Sequence, residues 1–160
     1  MTSTAPHHDI VSAIVAAHRA RPGALLPLLH AVQDAIGHIP ADAVPQIAAA
    51  LNLSRAEVHG VVSYYPHFRT QPAGRHVVRV CRAEACRAVG GDELLAHAQA
   101  RLGCGLHQTT ADGAVTLEPV SCLGQCATGP ALLVDADELH VDVDALAFDQ
   151  LAASLRGGAK

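Results

Sequence analysis

The chain has 160 residues and a formal net charge of −4, with half its residues hydrophobic but only 2% aromatic and 16% charged. That is the size of one domain, or of one domain with an appendage, and it can bury about two-thirds of its surface without disulfides. The acidic balance lacks the footprint of a nucleic-acid binder, and no apolar run reaches the roughly 18 residues of a membrane span.

The opening Met1-Thr-Ser-Thr-Ala-Pro-His-His-Asp9 has no basic stretch followed by an apolar one, so no signal peptide is expected. A cytoplasmic location follows as the expectation, with cysteines kept reduced and available for metal or redox chemistry. The first 70 residues then read as successive helices. Ile10, Ile14 and Ala17 mark an apolar stripe that stops at Arg21-Pro22-Gly23, and Leu25, Leu28, Leu29, Val32 and Ile36 form a second, ended by Gly37. Asp42 is placed to cap a third helix with Val44, Ile47 and Leu51 on one side, and Pro45 is tolerated in its first turn. Ser54-Arg-Ala-Glu57 is a capping-box pattern opening a fourth, with Val58, Val61, Val62 and Tyr65 as its apolar face.

Beyond Thr70-Gln-Pro-Ala-Gly74 the texture changes. His76–Val80 is a β-type run; Gly90-Gly91 precedes a helix over Asp92–Leu102. Ala114–Val120, Ala131–Val134 and Leu139–Val143 read as strands, and Asp144 is placed to cap a last helix to about Leu155, before a tail that frays. The fold class expected is α/β: a small N-terminal helical bundle (1–70), a linker (71–75) and a domain with a mixed sheet (76–160).

Four of the five cysteines form two pairs, Cys81 with Cys86 and Cys122 with Cys126, and thirty-five residues separate the pairs. Each pair follows a predicted strand, so neighbouring strand ends would bring the two loops to one site. Loops with four and three intervening residues, and with Gly124 and Gly129 nearby, can wrap an object larger than one ion. A [2Fe–2S] cluster on four thiolates suits them; structural zinc and unligated or redox thiols are the alternatives. A thioredoxin-type Cys-x-x-Cys is absent, as is the Cys-x-His of a Rieske centre. Arg82 and Arg87 are candidates for tuning a potential if they face such a cluster. No dinucleotide fingerprint, P-loop or nucleophile–base pair points to catalysis.

The pattern C-x₄-C … C-x₃-C resembles the thioredoxin-like [2Fe–2S] ferredoxin subunits of NADH-linked oxidoreductases. Leu25–Pro40, Leu53–Tyr65 and both cysteine loops carry that resemblance over roughly residues 10 to 145. Cys81-Arg-Ala-Glu-Ala-Cys86, Leu117-Glu-Pro-Val-Ser-Cys122 and Leu123-Gly-Gln-Cys126 look most like the gamma subunit of NAD-dependent formate dehydrogenases, whereas Cys126-Ala-Thr-Gly-Pro130 departs from the usual Asn-Ala-Pro or Ala-Ala-Pro ending. The resemblance implies a thioredoxin-like second domain and one [2Fe–2S] cluster held by Cys81, Cys86, Cys122 and Cys126. It implies an accessory redox subunit, not an enzyme on its own, that exchanges single electrons with a flavin-bearing NADH-binding subunit. A molybdenum- or tungsten-containing formate-oxidising subunit is the further partner, with no nucleic acid and no direct membrane insertion. The equivalent subunit of an NADH-quinone oxidoreductase or NAD-linked hydrogenase is the alternative. A zinc-stabilised interaction module and a free-standing ferredoxin stand outside these.

Cys104 matches no ligand position and reads as a small semi-buried residue, and the scattered histidines read as surface or core residues. Tyr64, Tyr65 and Phe68 are expected to pack the bundle against the second domain, or else to face a partner.

Overall fold

The computed structural model describes residues 7–157. The first six residues of the opening segment and the last three of the expected frayed tail lie outside the described residues. The chain divides into two compact units, Met1–Pro72 and Ala73–Lys160.

The first unit holds helices α1 (His8–His18), α2 (Leu25–Ile36), α3 (Ala43–Leu51) and α4 (Arg55–Tyr64). Val11, Leu28, Leu29, Val32, Ile39, Ile47 and Val58 are its most deeply buried side chains, each worth about 1.5–3 kcal/mol on burial. The α2 stripe lies where its spacing puts it, and Gly37 ends the helix with φ +88°, a conformation glycine adopts without steric cost. In α1 the buried residues are Val11 and Val15, while Ile10 is 43% exposed and Ala17 is also exposed. The expected stripe is therefore turned by one residue. Ile14 lies on both candidate faces, and the β-branched pair Val11/Val15 removes more apolar area from water than Ile10 with a lone alanine. Asp42 makes no side-chain cap to α3; its backbone is already helical, whereas a capping residue needs extended geometry to reach back to the first turn. The capping box at Ser54 and Glu57 forms in both directions.

Gln33, a buried polar residue on α2, ties down the segment after α4. Its Nε2 donates to the His67 carbonyl at 2.7 Å, and its Oε1 accepts from the Arg69 amide at 2.7 Å. Phe68 is thereby seated in the helical unit's own core, its ring near those of His30, Tyr65 and His67. Tyr64 is 78% exposed and Tyr65 is 40% exposed.

The second unit runs β1 (His76–Cys81), α5 (Glu84–Ala88), α6 (Gly91–Leu102), β2 (Gln108–Thr109), β3 (Val115–Val120), β4 (Leu132–Val134), β5 (Glu138–His140) and α7 (Ala145–Gly157). The sheet order is β2-β3-β1-β4-β5. Only β1 and β3 pair in parallel, from His76 opposite Val115 to Cys81 opposite Val120; the other pairings are antiparallel. A parallel pair needs a crossover, which α5 and α6 supply. Alternation along the strands puts Val78, Val80, Val115, Leu117, Leu132 and Val134 into one core with Leu94, Ala98, Phe148 and Ala152 of α6 and α7. The other face carries polar pairs, with Arg79 Nε 3.2 Å from Glu118 Oε2 and the Thr109 and Thr116 hydroxyls hydrogen-bonded. Asp144 caps α7 as expected, its Oδ1 accepting from the Ala147 amide at 2.8 Å. The two-residue β2 and the five-residue α5 are too short to leave a periodic signal. The last strand ends at His140, three residues short of the expectation, because Asp142 and Val143 turn back to bond Thr128 and Pro130.

Candidate metal centre

The parallel register decides where the cysteines go. Cys81 is the last residue of β1, and its partner Val120 is the last of β3, so both cysteine loops leave the sheet at the same edge. Hydrogen bonds lock this edge: the Cys81 amide donates to Ala131 O at 3.0 Å and the Arg82 amide to Val120 O at 2.8 Å. Cys81 and Cys86 are 2% and 1% exposed and pack with Ala131, Ala83, Val120 and Leu123, whereas Cys122 and Cys126 are exposed.

The sulfurs interact. Cys122 Sγ lies 3.8 Å from Cys126 Sγ and accepts from the Gly124 amide at 3.3 Å, an approach that uses the positive φ of Gly124. Burial acts to raise the Cys81 thiol, but the amides of Ala83 and Leu123 and the thiols of Cys86 and Cys122 together outweigh it and hold Cys81 below its ordinary value. Burial, then the neighbouring Cys81, pushes Cys86 up, partly offset by the Ala131 amide. Cys126 is raised by its hydrogen bond to Cys122 and by the charge there. The four thiols thus sense one another across the two loops. Cys104 lies in the sheet–helix core instead, its thiol raised by burial.

The fit to a four-thiolate cluster can be tested on four features. The donor set is four soft sulfurs. The Cys122–Cys126 separation of 3.8 Å matches the edge of a tetrahedron with metal–sulfur bonds of about 2.3 Å. The cradle is tight: a Cβ on Gly129 would sit 3.1 Å from both Cys86 Sγ and Val89 Cγ2, so glycine lets this loop, with its cis Gly129–Pro130 bond, pass close to the sulfur without displacing either side chain. Finally, the amides of Ala83, Leu123 and Gly124 donate to the sulfurs, as an anionic centre requires. These residues fit the group. Among the described residues no three His, Cys, Asp or Glu side chains are arranged to hold a single metal ion.

The model of the thioredoxin-like [2Fe-2S] ferredoxin family matches residues 11–156. The chain belongs to that family. Its members carry one [2Fe–2S] cluster and transfer electrons. The chain is 42% identical over 120 residues to an NADH-quinone oxidoreductase subunit of Pseudomonas aeruginosa, covering 75% of this chain and 72% of that one. It is 34% identical over 146 residues to an NADH-quinone oxidoreductase subunit of Rhizobium meliloti, covering 91% and 86%. Among solved structures, the NAD⁺-reducing [NiFe]-hydrogenase in its air-oxidized state superposes with a TM-score of 0.65 at 25% identity, over 82% of this chain but only 22% of the hydrogenase chain. The mixed sheet with its flanking helices is accordingly a thioredoxin-like fold.

Two contributors to the site are not legible in the sequence. The short helix α5 turns Cys86 inward, and Gly91 lies so close to it that a Cβ would meet Cys86 O at 2.7 Å. The signal is present as Gly90-Gly91, but it reads as helix punctuation until the contact is seen. No helix is long and apolar enough to cross a membrane among the described residues.

Proposed function

We propose that the chain is a cytoplasmic one-electron relay in an NADH-linked oxidoreductase complex, with Cys81, Cys86, Cys122 and Cys126 as the ligands of its cluster and a flavin-bearing subunit as its redox partner. The observation that carries this reading is the convergence of two cysteine loops at the shared edge of β1 and β3. When bound, the cluster supplies a reversible one-electron couple. The chain's own part is to hold and tune. Amides of Ala83, Leu123 and Gly124 point at the sulfurs and stabilise negative charge. Cys81, Cys86 and Ala131 exclude water from one side, and the exposed Cys122 and Cys126 leave the other side open to a partner. The Ala73–Lys160 unit is read as carrying the cluster, and the Met1–Pro72 unit as docking surface.

The relatives named above are quinone-oxidoreductase and hydrogenase proteins, which favours the equivalent place in an NADH-quinone oxidoreductase or NAD-linked hydrogenase. A subunit of an NAD-dependent formate dehydrogenase with a molybdenum- or tungsten-containing partner is the second reading; it rests on the motifs Cys81–Cys86 and Leu117–Cys126. Anaerobic purification of the tagged full chain from its own host tests all of these. Co-purifying flavin with NADH-dependent bleaching of the cluster supports the relay. Nickel and H₂-dependent NAD⁺ reduction, or molybdenum or tungsten and formate-dependent reduction, then separates the parent complexes. A monomer that NADH and flavoprotein leave oxidised would overturn the relay.

A further inference from the structure

Each arginine of the first cysteine loop directly follows a cysteine: Arg82 follows Cys81, and Arg87 follows Cys86. A single carboxylate reaches both. Asp92 Oδ2 accepts from Arg87 Nε at 2.8 Å, and Asp92 Oδ1 lies 3.5 Å from Arg82 Nη2. The placement of Asp92 is set by its neighbours. Gly91 rests on the Cys86 carbonyl with no room for a Cβ, and the Gly90 amide donates to Arg87 O at 3.3 Å, so the first turn of α6 is seated on the Cys86 turn. Arg82 Nε is buried and makes no hydrogen bond, which leaves the contact with Asp92 to orient that guanidinium.

We propose that Asp92 is a positioning residue for the cluster: it ties together the residues that follow Cys81 and Cys86, and it offsets part of the positive charge that the two arginines bring to the first cysteine loop. The inference rests on Cys81 and Cys86 being ligands. Half-exposed ion pairs of this kind contribute little to stability, so the effect belongs in the redox equilibrium. Glu84 lies in the same loop and also acts on Arg87, so two cations and two anions meet there. Removing the Asp92 charge favours the more negative, reduced state, and removing one cation disfavours it.

The test is the midpoint potential of the full chain, reconstituted anaerobically with iron and sulfide and measured at low ionic strength, where exposed charges are least screened. For Asp92→Asn the expected result is about a tenfold shift toward the reduced form, equivalent to about +59 mV for one electron. Arg87→Gln should move the potential the opposite way, and Asp92→Glu should restore it. Asn and Gln variants that leave the potential unmoved, or that both move it in one direction as a merely loosened loop would, overturn the proposal. A Cys86→Ser variant that keeps its full iron would instead overturn the ligand reading beneath it.

Discussion

Cys81 and Val120 are partners at the end of the parallel β1–β3 register. Because the two strands run the same way, the loops that leave them emerge together, and Cys122 follows two residues after Val120. An antiparallel pairing would have sent these loops to opposite ends of the sheet. The single parallel pair in an otherwise antiparallel sheet is therefore what makes one site out of two distant sequence motifs.

Replacing Cys122 by serine should abolish or badly destabilise the cluster, since a hard alkoxide replaces a soft thiolate. Cys104→Ser should retain it, because that thiol sits in the sheet–helix core away from the other four. Iron and sulfide per chain, measured on both variants, check the pair. Full occupancy in Cys122→Ser would sink the ligand assignment.

Gly91→Ala and Gly60→Ala should behave oppositely. At Gly91 the new methyl meets the Cys86 backbone at 2.7 Å, so strain of about 1–3 kcal/mol and poor cluster retention are expected. At Gly60, inside α4, nothing lies within 4 Å, and alanine should stabilise by about 0.4–1 kcal/mol through the unfolded chain. Urea midpoints of the two variants give the comparison.

Gln33→Ala removes the two part-buried hydrogen bonds that α2 makes to the His67–Arg69 segment. Each contributes about 0.5–1.5 kcal/mol, so the helical unit should lose stability and Phe68 should loosen. Hydrogen exchange at the Arg69 amide is the direct readout; protection equal to that of the unmodified chain would refute it.

The capping box predicts a pH signature. The Ser54 amide, then its hydroxyl, holds the Glu57 carboxyl below its ordinary value. A depressed folded-state value stabilises above the unfolded one and is lost as pH falls through the folded one. Glu57→Gln should therefore be less stable than the unmodified chain at neutral pH and indistinguishable from it in strong acid. Ser54→Ala should cost about 1 kcal/mol. Denaturant midpoints of α4-reporting signals at pH 7 and pH 2.5 test both.

Periodicity made α2 and α4 legible, because five apolar residues at helical spacing and a reciprocal cap leave little choice of face. It misplaced the α1 stripe by one residue, since Ile10/Ile14 and Val11/Val15 satisfy the same spacing and only packing chooses between them. The cysteine spacing made the two loops visible, yet their convergence depended on a strand pairing that spacing does not encode. The contacts of Gly91, Gly129 and Asp92 were out of reach for the same reason. They are short-range consequences of α5 turning Cys86 inward, and a five-residue helix carries no periodic signature.

The most direct test of the cluster is the iron, zinc and acid-labile sulfide content of the anaerobically purified full chain, read with its visible and electron paramagnetic resonance spectra. A red-brown protein is expected, with two irons and two sulfides per chain and an S = ½ signal on reduction. A colourless protein holding one zinc and no sulfide would contradict the electron-carrier reading, and the four cysteines would then brace loops rather than carry an electron.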